Sequence, residues 1–209
     1  MPATESPPGL PWLRAKVQDN GVRLFVALDV PEAVRAALAE LSDRLKKTCQ
    51  SARWVRLEGV HITLKFIGEV PSDQAQTIRQ ALGELPGFAP IQVRFAGLGF
   101  FPSARRPRVF WAGVEGGPQL TELAAAIEAK LLPFGIPAEK RAFHPHLTLA
   151  RFESPRGTQA LAAAVEAFWA TEFGSETFNE FYLYQSVLKR SGAEYTRLVT
   201  YPFRRETAP

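Results

Sequence analysis

His61-Ile62-Thr63-Leu64-Lys65-Phe66 and His146-Leu147-Thr148-Leu149-Ala150-Arg151 are near repeats, and each begins with one of only three histidines in the chain. In both, a histidine and a threonine stand two positions apart with an apolar residue between them. A strand with that spacing shows both polar groups on one face and the apolar residues on the other. Near neutral pH one imidazole can be neutral while another is charged, because the unperturbed pKa is about 6.5. Two imidazoles facing one site can then act as general base and general acid. Two threonine hydroxyls can donate hydrogen bonds to the oxygens of an anion held between them. A phosphodiester suits this equipment: water or a hydroxyl attacks phosphorus as the base takes its proton, and the acid protonates the departing oxygen. The scheme calls for no metal and no other cofactor.

Strict alternation puts Ile62, Leu64 and Phe66 on the buried face of the first strand, with His61, Thr63 and Lys65 opposite. In the second, Leu147 and Leu149 are buried, whereas His144, His146, Thr148 and Ala150 share the open face. Lys65 then reads as a solvated or salt-bridged side chain. One histidine on a half-buried strand is commonly structural. Apolar alternation explains the leucines, but it gives no reason for His and Thr to recur at the same offset.

The elements that must hold these strands follow from pattern. Arg23 to Leu28 reads as a strand, and Pro31 to Lys47 as a helix whose Val34, Leu38, Leu41 and Leu45 make one apolar stripe. Short strands follow at Arg53 to Arg56 and Val60 to Ile67, then a helix from Ser72 to Leu85. Ile91 to Gly99 and Arg108 to Glu115 read as strands joined by a loop carrying Pro102, Arg105, Arg106 and Pro107. A helix over Leu120 to Phe134, the second histidine strand over Pro145 to Phe152 and an Ala-rich helix over Thr158 to Trp169 come next. Phe173 to Leu188 and Tyr195 to Phe203 read as long, hairpin-linked strands. The element order predicts an α+β fold of two related lobes, each a sheet with helices on its outer face, meeting at a cleft.

Composition sets outer bounds. With 209 residues, 46% of them hydrophobic, the chain can bury a sizeable core, and a single domain over residues 23–203 with tails at 1–22 and 204–209 is expected. A net charge of +4 suits an anionic partner without demanding nucleic acid. The single cysteine, Cys49, excludes a disulfide framework and a thiolate zinc cluster. No apolar run is long enough for a secretory signal or a membrane span, so a cytoplasmic protein is expected, with no membrane partner and a monomeric state.

The pairs His61-Ile62-Thr63-Leu64 and His146-Leu147-Thr148-Leu149 resemble the double H-x-T-hydrophobic signature of the 2H phosphoesterase superfamily. RLFVALDVPE, WVRLEGVHITLKFIGEV, PRVFWAGV, PHLTLARF and QSVLKRSGAEYTRLVTYPF fall in the order of its RNA 2′,3′-cyclic phosphodiesterase branch, also called 2′-5′ RNA ligases. The resemblance runs from about residue 22 to 203, and the paired motif is far more specific than either half. It implies a bilobal fold and an enzyme that hydrolyses the 2′,3′-cyclic phosphate end of RNA to a 2′-phosphate. His61 would be the acid that protonates the 3′ oxygen, and His146 the base that activates water. Thr63 and Thr148 would hold the phosphate. Arg151 matches a basic position that closes the second motif, although strict alternation turns it to the buried face unless a strand end or a bulge intervenes.

Other readings stay open at this point. Arg105, Arg106 and Arg108 offer a short basic run for an RNA backbone, and Trp54, Phe100, Phe101 and Trp111 offer rings for stacking, although most of these rings suit a core. A rival reading makes His61, His144 and His146 a three-histidine zinc site of a hydrolase, which leaves the threonines unexplained. The chain might also bind RNA ends without turnover. Within the superfamily, a 5′ hydroxyl in place of water would join RNA ends through a 2′-5′ linkage; no K-x-D-G motif supports ATP-driven ligation.

Overall fold

The computed structural model of the chain describes residues 21–154, 156–189 and 192–203. The expected terminal tails fall almost wholly outside the described residues. In chain order the elements are β1 (Val22–Asp29), α1 (Glu32–Leu45), β2 (Arg53–Trp54), β3 (His61–Val70), α2 (Ser72–Gly83), β4 (Ile91–Phe101) and β5 (Val109–Glu115). They continue as α3 (Gly117–Leu131), β6 (His146–Arg151), α4 (Thr158–Val165), β7 (Glu172–Phe178), β8 (Glu180–Lys189) and β9 (Gly192–Pro202). The strands form two antiparallel sheets, ordered β3-β1-β8-β9 and β2-β6-β5-β4-β7. This is the expected α+β arrangement of two sheets and four helices.

The two sheets are not successive halves of the chain, because elements from each half cross into the other sheet. The stretch Phe173 to Leu188 is not one strand. It divides at Asn179, so that Phe178 pairs with Ile91 in the five-stranded sheet while Glu180 pairs with Pro202 in the four-stranded one. Alternation cannot register such a division, because two collinear strands carry the same period as one. Strand β2 likewise crosses over to pair with β6. The helices cross too: α1 packs on β7 and α3 packs on β3.

These crossings merge the buried faces into one core that draws on both sheets and all four helices. Leu38, Ile78, Leu123 and Leu161, one from each helix, are wholly buried. Each such side chain contributes about 1.5–3 kcal/mol by leaving water. The stripe of α1 is the predicted one, with Val34, Leu38, Leu41 and Leu45 all buried. Phe25, Ala27, Tyr182 and Tyr184 form a second, smaller cluster on the opposite face of the four-stranded sheet. That face also carries His61.

Candidate active site

The first hexapeptide opens β3 and the second makes up the whole of β6, and their burial runs in the same order. A half-buried His is followed by a buried aliphatic residue, a half-buried Thr, two buried residues in succession and an exposed one. The two successive buried residues break strand alternation, and the register shows why. Ala27 pairs with Thr63 and Val26 with Lys65, leaving Leu64 as an extra residue. In the other sheet Trp111 pairs with Thr148 and Phe110 with Ala150, leaving Leu149 extra. Each hexapeptide therefore carries a β-bulge directly after its threonine, which reverses the face of everything downstream. Strands β3 and β6 touch across the two sheets, so the repeats lie on adjoining strands.

The bulges correct two sequence expectations and remove an objection to a third. Phe66, expected in the core, is 56% exposed. Lys65, expected on the open face, is 2% exposed and reaches the helices instead. Its Nζ donates to Glu128 Oε1 on α3 at 2.5 Å and to the Pro137 carbonyl at 2.7 Å, while the Glu139 backbone N–H donates to the same Glu128 oxygen at 2.6 Å. A buried ammonium is tolerated because its charge and protons are matched this way. Arg151, at the position equivalent to Phe66, is exposed and returns to the face of His146 and Thr148.

The two imidazoles are fixed by the same device. His61 Nδ1 lies 2.8 Å from the Gly59 carbonyl, and His146 Nδ1 lies 2.8 Å from the His144 carbonyl. A carbonyl only accepts, so Nδ1 carries the proton in each neutral ring and Nε2 is the nitrogen with the lone pair. Aromatic rings hold both planes. His61 stacks on Phe25 at 4.5 Å and meets the edge of Tyr195 at 5.1 Å, and His146 meets Phe101 edge-on at 5.0 Å.

Their electrostatic surroundings differ. Burial lowers the pKa of both rings, and the backbone acceptor opposes that shift in both. Beyond this, the Asp29 carboxylate favours the charged form of His61, whereas Arg151 and His144 disfavour the charged form of His146. Asp29 stands directly across the ladder from His61. Its carboxylate accepts from the Tyr184 hydroxyl and from Arg197, whose guanidinium also lies 3.8 Å above the Tyr182 ring. Burial, then the bond to Asp29, pushes the Tyr184 phenol up to about 12. Pattern reading missed Asp29, Tyr184 and Arg197. The first resembled a turn residue, and the other two sat in long alternating strands with nothing local to mark them.

Beside His146 lies a pocket of 620 Å³. Phe101, Trp111 and Trp169 wall it, and His144 and Gly113 also line it. Gly113 stands across the ladder from His146, where a Cβ would come within 2.2 Å of the Ala96 carbonyl oxygen. No side chain fits there, because the Ala96 backbone already takes up the space. Of the rings singled out in the sequence, Phe100 packs against Phe110 and Phe152, and Trp54 against Phe110, as core residues do. Arg105 and Arg106 are exposed on the β4–β5 loop, and exposed Arg108 donates to the Glu153 carbonyl. No group of three or more His, Cys, Asp or Glu among the described residues is arranged to hold a metal ion, so His61 is not gathered with His144 and His146 as the zinc alternative requires. No helix among them is long and apolar enough to cross a membrane.

The molecule's likenesses agree with this geometry. The profile of LigT-like phosphoesterases matches residues 28–111 and 114–195, one stretch for each histidine motif. An RNA 2′,3′-cyclic phosphodiesterase of Aeropyrum pernix is 38% identical over 162 residues, covering 77% of this chain and 92% of its own. The crystal structure of TT0787 from Thermus thermophilus superposes with a TM-score of 0.73 at 32% identity, over 88% of this chain and 99% of that one. E. coli LigT complexed with 3′-AMP gives a TM-score of 0.71 at 25% identity, with the same coverage of both chains. With a family profile spanning most of its length and both motifs on bulged, adjoining strands, the chain belongs to the LigT-like phosphoesterases.

Proposed function

We propose that this protein is an RNA 2′,3′-cyclic phosphodiesterase that opens the cyclic phosphate to a 2′-phosphate by metal-independent two-histidine catalysis. The observation that carries the reading is the duplication of one device: H-x-T followed by a bulge, with each imidazole held through Nδ1 and its Nε2 left free. Thr63 and Thr148 hydrogen-bond the phosphate oxygens, and the Arg151 guanidinium adds charge-assisted bonds to the same anion. His146 Nε2 takes a proton from water as its oxygen attacks phosphorus. His61 Nε2 gives a proton to the departing 3′ oxygen. Burial lowers the pKa of both rings, and within that shared shift the neighbours differ as the roles require, Asp29 favouring a protonated His61 and Arg151 a neutral His146. Positioning and proton transfer supply the rate without a metal. The same machinery joins RNA ends without ATP when a 5′ hydroxyl replaces water.

The test is to incubate the purified, exhaustively chelated protein with nucleoside 2′,3′-cyclic phosphates and identify the monoester formed. The 2′-phosphate is expected to dominate. A dominant 3′-phosphate would reverse the orientation of the substrate between the histidines. Loss of activity on chelation, with recovery on adding zinc, would overturn the metal-independent mechanism.

A further inference from the structure

Hydrolysis asks for little room beside the base, because one water occupies about 30 Å³ of the liquid. The pocket next to His146 offers 620 Å³, within the range of small-molecule sites and far beyond a water's need. Three aromatic rings line it, Phe101, Trp111 and Trp169, together with the charged side chains of Arg94 and Glu115. Trp169 is 67% exposed, and its backbone is tied down by the Leu98 N–H, which donates to the Trp169 carbonyl at 2.9 Å. A large indole held at the surface on an anchored backbone is poised to stack on an incoming ring. The pocket is lined by residues from Arg94 to Ala170, and His61 is not among them. It therefore borders the base and not the acid.

In an in-line displacement the attacking and departing oxygens lie on opposite sides of phosphorus. With His61 at the departing 3′ oxygen, the nucleoside that bears the cyclic phosphate extends toward the four-stranded sheet, and the pocket lies on the side of the attacking group. We infer that this pocket is a subsite for a second nucleoside, the 5′-hydroxyl end of an RNA strand, stacked against Trp169 and Phe101. The inference rests on the acid and base roles proposed above. The 5′ hydroxyl gives its proton to His146 Nε2 as its oxygen bonds to phosphorus, the bond from phosphorus to the 3′ oxygen breaks, and that oxygen takes the proton of His61. The product is a 2′,5′-phosphodiester with a free 3′ hydroxyl. No oxidant, reductant or nucleoside triphosphate enters the balance. Stacking is tolerant of sequence, so the acceptor is recognised as a nucleoside with a 5′ hydroxyl rather than by its base.

The test uses the full-length protein, an oligonucleotide ending in a 2′,3′-cyclic phosphate and an acceptor oligonucleotide with a free 5′ hydroxyl. The joined and hydrolysed products are measured in one reaction. Trp169→Ala is expected to lower the ratio of joined to hydrolysed product by roughly five- to a hundredfold, the worth of one base stack, and Trp169→Phe to restore most of it. A ratio unmoved by Trp169→Ala in a protein that melts like wild type overturns the subsite. So does an equal rise in KM for a lone nucleoside 2′,3′-cyclic phosphate, because the pocket would then hold the donor's base. If wild type hydrolyses the cyclic phosphate but forms no joined product at any acceptor concentration, this inference falls alone. Absence of hydrolysis as well would remove the phosphodiesterase reading beneath it.

Discussion

Across from His61, β1 presents Asp29; across from His146, β5 presents Gly113. Further along the same strands, Phe66 comes to the surface after the first bulge and Arg151 after the second. Between these positions the halves match in burial order, in the bulge after threonine and in the Nδ1 bond to a carbonyl two residues back. The repeated hexapeptide thus holds two imidazoles in the same way, and residues outside the H-x-T core give them opposite electrostatic neighbours. A carboxylate stands beside one and a guanidinium beside the other. The repeated motif supplies the shared geometry, and a few neighbouring positions supply the contrast on which the proposed division of roles rests.

The largest effects should come from breaking the shared part. His61→Ala and His146→Ala are each expected to lower kcat by about a hundredfold or more, the usual contribution of a positioned acid or base. His144→Ala, which keeps the backbone carbonyl that holds His146, should cost far less. Equal losses in all three folded variants, read by steady-state kinetics, would contradict the two-histidine scheme.

Next in size is a difference between the halves at the residue after the bulge, Lys65 in one and Ala150 in the other. Glu128→Gln removes the carboxylate that Lys65 meets at 2.5 Å and should destabilise the fold by about 3 kcal/mol in urea unfolding, because a buried ammonium loses its main counter-charge. The hydrogen bond from Lys65 is the largest cause holding the Glu128 carboxyl below its ordinary pKa. A depressed folded pKa means that the unfolded chain binds the proton more readily. The contribution is therefore intact above about pH 4.3 and is lost as pH falls through the lower, folded value. Ala150→Val, at the matching position, carries no such pH dependence.

Arg151→Gln tests the divergent position on the second strand. Loss of a charged hydrogen bond to phosphate should reduce kcat/KM by roughly ten- to a hundredfold. It should also raise the pKa of His146, since Arg151 disfavours its charged form, and move the acidic limb of the rate profile to higher pH. The counterpart, Asp29→Asn, should do the reverse in the other half: a lower pKa for His61 and an alkaline limb displaced to lower pH. Nitrogen NMR resolves a chain with three histidines and checks both shifts directly. It should also find both neutral rings protonated at Nδ1. A change of His146 on replacing Asp29, with His61 unmoved, would dissolve the contrast between the halves.

How much of this was readable before the fold was known depends on the range of the interaction involved. The histidine and threonine positions were legible because they obey a two-residue period and recur. The stripe of α1 was legible for the same reason at a helical period. The bulges were not, although Leu149 and Ala150 as successive buried residues left a trace; in the first copy Lys65 concealed it, being a charged residue in a buried position. Asp29, Tyr184 and Arg197 are distant in sequence and meet only because β1 and β9 flank β8. The division of Phe173 to Leu188 between two sheets depends on pairing partners, about which a single strand's pattern carries no information.

The central claim is that His61 is the acid and His146 the base, and a substrate whose leaving group needs no proton separates them most directly. A 3′-deoxynucleoside 2′-(p-nitrophenyl phosphate), which has no neighbouring hydroxyl to attack phosphorus, releases a phenolate that is stable as an anion near neutral pH, so its attack by water needs the base but not the acid. Activity of the two alanine variants is to be compared on this ester and on the nucleoside 2′,3′-cyclic phosphate. The account predicts that His61→Ala recovers to within a few-fold of wild type on the nitrophenyl ester while His146→Ala remains about a hundredfold or more impaired on both substrates. Recovery of His146→Ala with His61→Ala still inactive would contradict the assignment.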